Sequence, residues 1–164
     1  MTPQLINKDF HDKIYSIVEI SKGSRVKYEY NEEFRMVEYD RILETSMSYP
    51  GNYGFIPNTI GGDYDPIDII FFNEYPILPN TLIETKIVGV LEMIDGGLED
   101  YKLIGIPAIN NTVNDLEDIP EKFLALTKHF FKNYKIVNGG EKVWVGDWFG
   151  KKKAMEVLHK GARN

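Results

Sequence analysis

Three aspartates lie within six residues of one another in the segment GGDYDPIDII, which covers residues 61–70. The carboxylates of Asp63, Asp65 and Asp68 would repel one another in a folded protein, because two like charges about 4 Å apart repel by roughly 4 kcal/mol at an effective dielectric of 20. Converging carboxylates therefore need protonation, solvent or a bound cation. Oxygen ligands of this kind select Mg²⁺, Ca²⁺ or Mn²⁺, whereas a solvated acidic turn is the alternative for the loop taken alone.

A second acidic pair flanks two glycines. Asp95 and Asp100 lie on either side of Gly96-Gly97, which predicts a tight turn between two strands. Asp100 and Lys102 are two residues apart on the second strand, so their side chains point to the same face. Alone, this pattern is typical of a hairpin with a surface ion pair. Together with the first loop, it indicates a Mg²⁺ site whose few carboxylates leave positions for water and phosphate oxygens.

Side chains that can bind phosphate are spread along the chain, namely Lys27, Arg41, Tyr49, Tyr53 and Lys135. Each of the cations alone is typical of surface charge, and each tyrosine is typical of barrel packing. Beside a metal cluster, however, lysine and arginine supply the charge that a phosphate ester or anhydride requires, and tyrosine hydroxyls can donate to phosphate oxygens. The three histidines share no ligand or triad spacing, and no Walker loop, GxGxxG or GxSxG motif occurs.

Composition predicts one globular domain over residues 1–164. The chain is 43% hydrophobic, and a chain of about 150 residues buries roughly 70% of the surface that it would expose unfolded. Because there is no cysteine, a disulfide framework, a thiolate metal site and a cysteine nucleophile are excluded. MTPQLINKDF has no apolar signal region, and no run approaches the roughly 18 to 20 apolar residues that span a bilayer. We therefore expect a cytoplasmic protein with no membrane partner.

The net charge of −6 disfavours a nucleic-acid partner, because such proteins normally carry a basic face for the phosphate backbone. The charges are unevenly distributed. Residues 1–100 contain 8 basic and 18 acidic side chains, whereas residues 101–164 contain 11 basic and 7 acidic ones. The first part of the chain thus has an excess of negative charge that cations would balance, and the second part supplies an excess of positive charge.

Strand-like segments occupy most of the first two thirds of the chain. They are rich in β-branched and aromatic residues and cover residues 14–20, 24–30, 34–41, 67–74, 81–93 and 101–107. Their short spacing predicts a small barrel. The strands must position the acidic loops, which follow or precede them directly.

Two helices are predicted near the C-terminus. Asp118-Ile-Pro-Glu121 resembles a capping box, and apolar residues follow at steps of three and four, namely Ile119, Phe123, Leu126, Phe130 and Tyr134. A second helix is predicted to begin near Gly150 and to end at Gly161, with one apolar stripe formed by Ala154, Val157 and Leu158. Strands followed by helices indicate an α+β fold.

Seven sequence landmarks resemble those of the family I soluble inorganic pyrophosphatases of the prokaryotic type. They extend from about Ile17 to Trp148 in the family's order, as VEI, VKYE, YDRIL, YPGNYGFIPNT, DYDPID, MIDGGLEDYKLIGIP and HFFKNYK. The DxDPxD motif alone is weak, whereas seven ordered landmarks are specific. The resemblance implies a small OB-like five-stranded β-barrel with C-terminal helices packed beside it, and a homohexamer.

The resemblance also implies an active site that hydrolyses pyrophosphate. The implied metal ligands are Asp63, Asp68, Asp95 and Asp100, and Asp65 is the carboxylate that helps to activate the attacking water. The implied phosphate-binding residues are Lys27, Arg41, Tyr53, Lys102, Tyr134 and Lys135, with Glu19, Glu29 and Tyr49 in support. Mg²⁺ is the implied cofactor, and Mn²⁺ or another divalent ion is the substitute.

The expected mechanism is in-line attack on phosphorus by a water that two Mg²⁺ ions bridge and acidify. One position departs from the family, which usually has a small residue in place of Tyr64. Alternation along the loop predicts that the Tyr64 side chain points away from the metal ligands.

Two other functions compete with pyrophosphate hydrolysis. A non-catalytic OB-like module would bind an oligonucleotide or oligosaccharide on the barrel face, although the acidic first hundred residues oppose a nucleic-acid groove. A metal-dependent phosphoesterase acting on a nucleotide is chemically closer, and only the family resemblance argues against it.

Overall fold

The structure is a computed structural model that describes residues 6–7, 9–11, 13–138 and 143–163, with only the backbone described for Asn138. The remaining residues of the predicted domain 1–164 lie outside the described part. The strands are β1 Ile14–Ile20, β2 Val26–Asn31, β3 Met36–Ile42, β4 Tyr53–Phe55, β5 Asp68–Phe71, β6 Leu82–Asp95, β7 Leu98–Glu99, β8 Lys102–Pro107 and β9 Val143–Gly150. The helices are α1 Glu121–Asn133 and α2 Lys151–Gly161, and 3₁₀ turns cover Leu116–Asp118 and Ile136–Asn138.

Five strands form a closed barrel in the order β1-β4-β5-β8-β6, because β6 also pairs with β1. The β5–β8 pair is parallel and the other pairs are antiparallel, so the barrel is mixed. Closure removes the open edges that an isolated sheet would expose. The predicted α+β fold with a small five-stranded barrel is confirmed.

The long strand β6 connects the barrel to the elements around it. Its 14 residues pair with β1 at one end and with β7 and β9 at the other, and β8 lies between. Its register is irregular between Ile87 and Gly89 against β8, and between Leu91 and Met93 against β9. Such irregularities bend and twist a strand, which allows one strand to serve both the barrel wall and the outer pairing.

Two hydrophobic clusters lie on opposite faces of the barrel strands. Alternate residues of β5 illustrate the division, since Ile70 packs in the cluster that contains Phe130 of α1, whereas Ile69 packs in the cluster that contains Leu158 of α2. All four side chains are at most 2% exposed. Because successive strand residues point to opposite faces, each helix is held by its own face of the sheet.

The predicted capping box at Asp118 and Glu121 is wrong. Pro120 caps α1 without a side-chain hydrogen bond, and the capping box instead encloses the preceding 3₁₀ turn, between Asp115 and Asp118. The Asp118 carboxylate accepts the backbone N–H groups of Asn114 and Asp115. Its Oδ2 atom therefore accepts hydrogen bonds from residues before it rather than from the first turn of α1.

The apolar stripe of α1 is mostly confirmed. Ile119, Phe130 and Tyr134 are buried, but Leu126 is 50% exposed, and the neighbouring Thr127 is buried instead. The second predicted helix is confirmed, since α2 follows Gly150 and ends at Gly161. No helix in the described residues is long and apolar enough to cross a membrane.

Three of the described strands of the sheet, β4, β7 and β9, have no counterpart among the predicted segments. Strand β4 has three residues, and a Cβ atom at its Gly54 would lie 1.9 Å from the carbonyl oxygen of Ile17, so the β1–β4 approach requires glycine. Strand β9 pairs along the outer half of β6. Outside the barrel, β2 and β3 form a separate two-stranded sheet.

Candidate active site

A cleft of about 840 Å³ is lined by side chains from the barrel, the β2–β3 sheet and the residues that follow α1. It gathers all but one of the residues predicted for the site, namely Glu19, Lys27, Glu29, Tyr49, Tyr53, Asp63, Asp65, Asp68, Asp95, Asp100, Lys102, Tyr134 and Lys135. The exception is Arg41, which lies opposite Lys27 on β3 and does not line the cleft.

The first aspartate loop, residues 61–65, is a tight turn that is closed by hydrogen bonds within the loop. The N–H of Gly61 donates to the carbonyl of Asp65 at 2.7 Å, and the N–H of Asp65 donates to Oδ1 of Asp63 at 3.2 Å. Tyr64 sits between the two aspartates with a φ of 69°, and its side chain is 79% exposed at the rim of the cleft. Burial and the neighbouring Asp63 carboxylate raise the pKa of Asp65 above its ordinary value.

Lys102 lines the cleft and joins its two aspartate loops. Its ammonium donates to Oδ2 of Asp68 at 2.6 Å, to Oδ1 of Asp100 at 2.8 Å and to the hydroxyl of Tyr53 at 3.0 Å. Asp68 and Lys102 are register partners in the parallel strands β5 and β8, which explains their approach. Lys102 is only 2% exposed, so the interpretation of this hairpin as a surface ion pair is wrong.

Burial and charge act against each other at these groups. Burial lowers the pKa of Lys102, but the carboxylates of Asp68 and Asp100 outweigh it and hold that pKa above the ordinary value. Burial raises the pKa of Asp100 to about 7, and Asp68 adds to the rise while Lys102 opposes it. A further cation beside these carboxylates would favour their ionised forms.

The second aspartate loop is positioned by its glycines. Asp95 ends β6, and Gly96 and Gly97 have φ values of 58° and 83° in the two-residue turn before β7. The predicted tight turn is therefore present, and glycine supplies the left-handed backbone that it needs. Oδ2 of Asp95 lies 2.6 Å from Nζ of Lys135, so this carboxylate also has a lysine partner.

The donor chemistry of the cleft fits a hard divalent cation, because five aspartates line it and supply only oxygen ligands. Within the described ranges, no three acidic or histidine side chains are already arranged around a common metal position. Lys102 lies against Asp68 and Asp100, and Lys135 lies against Asp95. The two lysines thus offset the charge of three of the four carboxylates that the family resemblance implies as metal ligands, the exception being Asp63.

Acidic and basic groups of β1 and β2 form another wall of the cleft. Nζ of Lys27 lies 2.9 Å from Oε1 of Glu29, and Oε2 of Glu19 accepts the N–H of Tyr30 at 2.7 Å. Burial is the main cause that raises the pKa of Glu19 from 4.5 to about 8, and the carboxylates of Asp68 and Glu29 add to the rise.

Tyrosines complete the site from the α1 side. Tyr134 follows the last helical residue and stacks on Phe130 at a centroid distance of 5.1 Å, while Tyr49 lies 5.4 Å from Tyr53. Burial raises the pKa of all three tyrosines. Their hydroxyls therefore stay protonated and can donate hydrogen bonds at neutral pH.

Some cleft residues were not identified from the sequence. Tyr28 and Tyr30 line the cleft together with Lys27 and Glu29, although strand alternation places tyrosines and charges on opposite faces. The register of β2 against β3 shifts between Lys27 and Tyr28. The sequence pattern contains no signal of that shift.

Comparison with known proteins gives a consistent result. Residues 16–164 match the family described as inorganic pyrophosphatase. An inorganic pyrophosphatase of Saccharolobus solfataricus is 39% identical over 155 residues, covering 91% of this chain and 90% of its own, and that of Campylobacter jejuni is 37% identical over 161 residues, covering 95% and 94%. The solved structure of the Helicobacter pylori inorganic pyrophosphatase has a TM-score of 0.90 at 35% identity, covering 97% of this chain and 96% of that one.

Proposed function

Because the chain belongs to the inorganic pyrophosphatase family, a family of metal-dependent hydrolases, we propose that it hydrolyses pyrophosphate to two orthophosphates with Mg²⁺ as its cofactor. The observation that carries this proposal is the cleft, where carboxylates suited to a divalent cation lie beside the buried Lys102 and the half-buried Lys135, which are suited to phosphate. Such a combination matches a highly charged anhydride that must be neutralised before water can attack it.

The carboxylates of Asp63, Asp68, Asp95 and Asp100 would hold Mg²⁺. When bound, the metal supplies charge neutralisation and lowers the pKa of a bound water. Mn²⁺ or another divalent ion would serve as a substitute, because it takes the same oxygen ligands.

Asp65 would act as the general base that accepts the proton of the attacking water. Its raised pKa brings a carboxylate closer to the neutral range in which a general base works best. It keeps no ion-pair partner among the described lysines and arginines, in contrast to Asp68, Asp95 and Asp100. Its oxygens therefore remain available to water.

The substrate phosphates are assigned to Lys27, Arg41, Tyr53, Lys102, Tyr134 and Lys135, with Glu19, Glu29 and Tyr49 in support. Lysine and arginine stabilise the negative charge of the electrophilic and leaving phosphates, and buried tyrosine hydroxyls donate hydrogen bonds to their oxygens. Arg41 would have to reach the cleft from β3, since it does not line the cleft in this structure.

The assembly and the location of the protein are part of the same proposal. The resemblance to prokaryotic pyrophosphatases supports a single domain over residues 1–164, a homohexamer and a cytoplasmic location. Light scattering of the purified protein checks the oligomer, because a hexamer of this 18.9 kDa chain differs clearly in mass from a monomer or dimer.

A phosphate-release assay tests the function. The purified chain is incubated with pyrophosphate and Mg²⁺, with a chelator as control, and we expect release only in the presence of the metal. Absence of Mg²⁺-dependent phosphate release above background would exclude the proposed pyrophosphatase activity. Release from a nucleotide but not from pyrophosphate would support the phosphoesterase, and salt-sensitive retention on single-stranded DNA without hydrolysis would support the binding module.

A further inference from the structure

Asp40 lies where the pairing of β2 and β3 is irregular. Lys27 is the register partner of Arg41, but the next residue, Tyr28, is the partner of Tyr39, so Asp40 is an extra residue on β3. This is the arrangement of a β-bulge, which inserts one residue and re-aims a side chain next to many active sites.

The bulge changes which side chain meets Lys27. In regular antiparallel pairing, Lys27 and Arg41 would share a face, and Asp40 would point to the opposite one. In the structure, Oδ2 of Asp40 lies 3.2 Å from Nζ of Lys27. The carboxylate therefore reaches a lysine that strand alternation alone would keep from it.

Lys27 is held by two carboxylates and lines the cleft. Oε1 of Glu29 lies 2.9 Å from its ammonium, and its side chain is only 20% exposed. Among the described residues that line the cleft, Lys27 and Glu29 are included and Asp40 is not. Asp40 thus contacts the lysine without reaching the place of the substrate.

We propose that Asp40 is a positioning residue, which fixes the Lys27 ammonium in the orientation that binds a substrate phosphate. This inference rests on the proposed function. An ammonium has three N–H donors, so two carboxylates leave one for a phosphate oxygen. A lysine that is already ordered loses less conformational entropy when the substrate binds, and this raises affinity.

Several charged groups lie near Lys27, and together they determine how the loss of Asp40 changes the pKa of that lysine. Glu29 comes from its own strand, Asp40 from β3, and Glu19 from β1, while Arg41 is the backbone register partner of Lys27 on β3. Burial lowers the pKa of Lys27, but the carboxylates of Glu29 and Asp40 outweigh it and raise that pKa above its ordinary value. Removing one carboxylate lowers the pKa, so the lysine loses its proton at a less alkaline pH.

The experiment compares Asp40→Asn and Asp40→Glu with Glu38→Gln. Glu38 is the matched control, because it lies on the same strand but its carboxylate accepts the side chain of Asn31 rather than Lys27. We measure kcat and KM with magnesium pyrophosphate, the Kd of imidodiphosphate by calorimetry, the pH profile of kcat/KM, and thermal unfolding.

We expect Asp40→Asn to raise KM and the Kd of imidodiphosphate at least five-fold, with kcat changed less than two-fold. The alkaline limb of kcat/KM moves to lower pH. Asp40→Glu restores most of the affinity, and Glu38→Gln resembles the parent protein. A variant with the parent KM, Kd and alkaline limb overturns the proposal, as does a loss of kcat and thermal stability without those shifts.

An NMR titration keeps this proposal separate from the proposed function. The ¹³Cε resonance of Lys27 reports its pKa directly, whether or not the protein turns over pyrophosphate. A lower pKa in Asp40→Asn supports the positioning role, and an unchanged pKa overturns it. Failure of the parent protein to hydrolyse pyrophosphate and to bind imidodiphosphate would instead reject the function.

Discussion

Asp68 and Lys102 face each other across the parallel strands β5 and β8, with Oδ2 of the aspartate 2.6 Å from Nζ of the lysine. The same ammonium binds Asp100, and its side chain is only 3% exposed. The cleft therefore contains a permanent cation between its two aspartate loops. The lysine offsets the repulsion that converging carboxylates would otherwise cause.

Replacing that cation should destabilise the fold. We expect Lys102→Met to lower the free energy of unfolding by about 3 kcal/mol in metal-free buffer, the lower end of the range for a buried pair, because it leaves the partly buried carboxylates of Asp68 and Asp100 without their partner. Urea denaturation measures the change. The control is Lys13→Met, whose exposed ion pair with Glu84 spans 3.8 Å and should contribute less than about 1 kcal/mol. Equal losses in the two variants would contradict the assigned role of Lys102.

Two of the three aspartates of the DYDPID segment, Asp65 and Asp68, should respond differently to loss of charge. Asp65→Asn should lower kcat by about 10²–10⁴-fold, because the water loses its proton acceptor, while the calorimetric Kd for Mg²⁺ changes little. Asp68→Asn should mainly weaken Mg²⁺ binding. Turnover that is unchanged in both variants would reject the proposed mechanism, and circular dichroism verifies that both remain folded.

Glu19 should make stability fall as the pH rises. Its pKa is raised from 4.5 in the unfolded chain to about 8 in the fold, so the folded state retains the proton longer. The stabilisation is complete below about pH 4.5 and is lost as the pH rises towards 8. We therefore expect Glu19→Gln, measured in metal-free buffer, to gain stability relative to the parent protein between pH 5 and 8. A difference that is independent of pH would contradict the assignment.

Tyr64 should make the protein less stable than a residue that tolerates a positive φ at this position. A bulky side chain at a φ of 69° is strained, whereas asparagine adopts this region readily. We expect Tyr64→Asn to raise the free energy of unfolding by about 0.5 kcal/mol and Tyr64→Val to lower it by about 1 kcal/mol. Tyr75, exposed and without a positive φ, is the control, and its substitutions should change stability by less than about 0.5 kcal/mol.

Much of the fold follows from patterns along the sequence. Segments with β-branched alternation became β1, β5, β6 and β8, and the three- and four-residue spacing of Ile119, Phe130 and Tyr134 indicated α1. Strand β4 could not be found in this way, because three residues show no periodicity. Its position depends on Gly54 approaching Ile17, which is a tertiary contact.

The candidate site was harder to predict from the sequence where its geometry depends on how the strands pair. Residue types and spacing identified the aspartates, but the burial of Lys102 depends on the register of β5 against β8. The contact between Asp40 and Lys27 depends on a β-bulge that the residue types in β2 and β3 do not predict. Arg41 illustrates the opposite case, since its motif predicted a place in the cleft that it does not occupy here.

The closed barrel also determines what a fragment of this chain could do. Asp68, Asp95 and Lys102 belong to β5, β6 and β8, and the ring of hydrogen bonds that holds these strands is completed by β1, near the other end of the chain. A fragment without β1 would carry the same acidic motifs on an open sheet with unpaired edges, which favour association with other chains. The charge arrangement of the cleft therefore belongs to the complete ring and cannot be transplanted with the DYDPID segment.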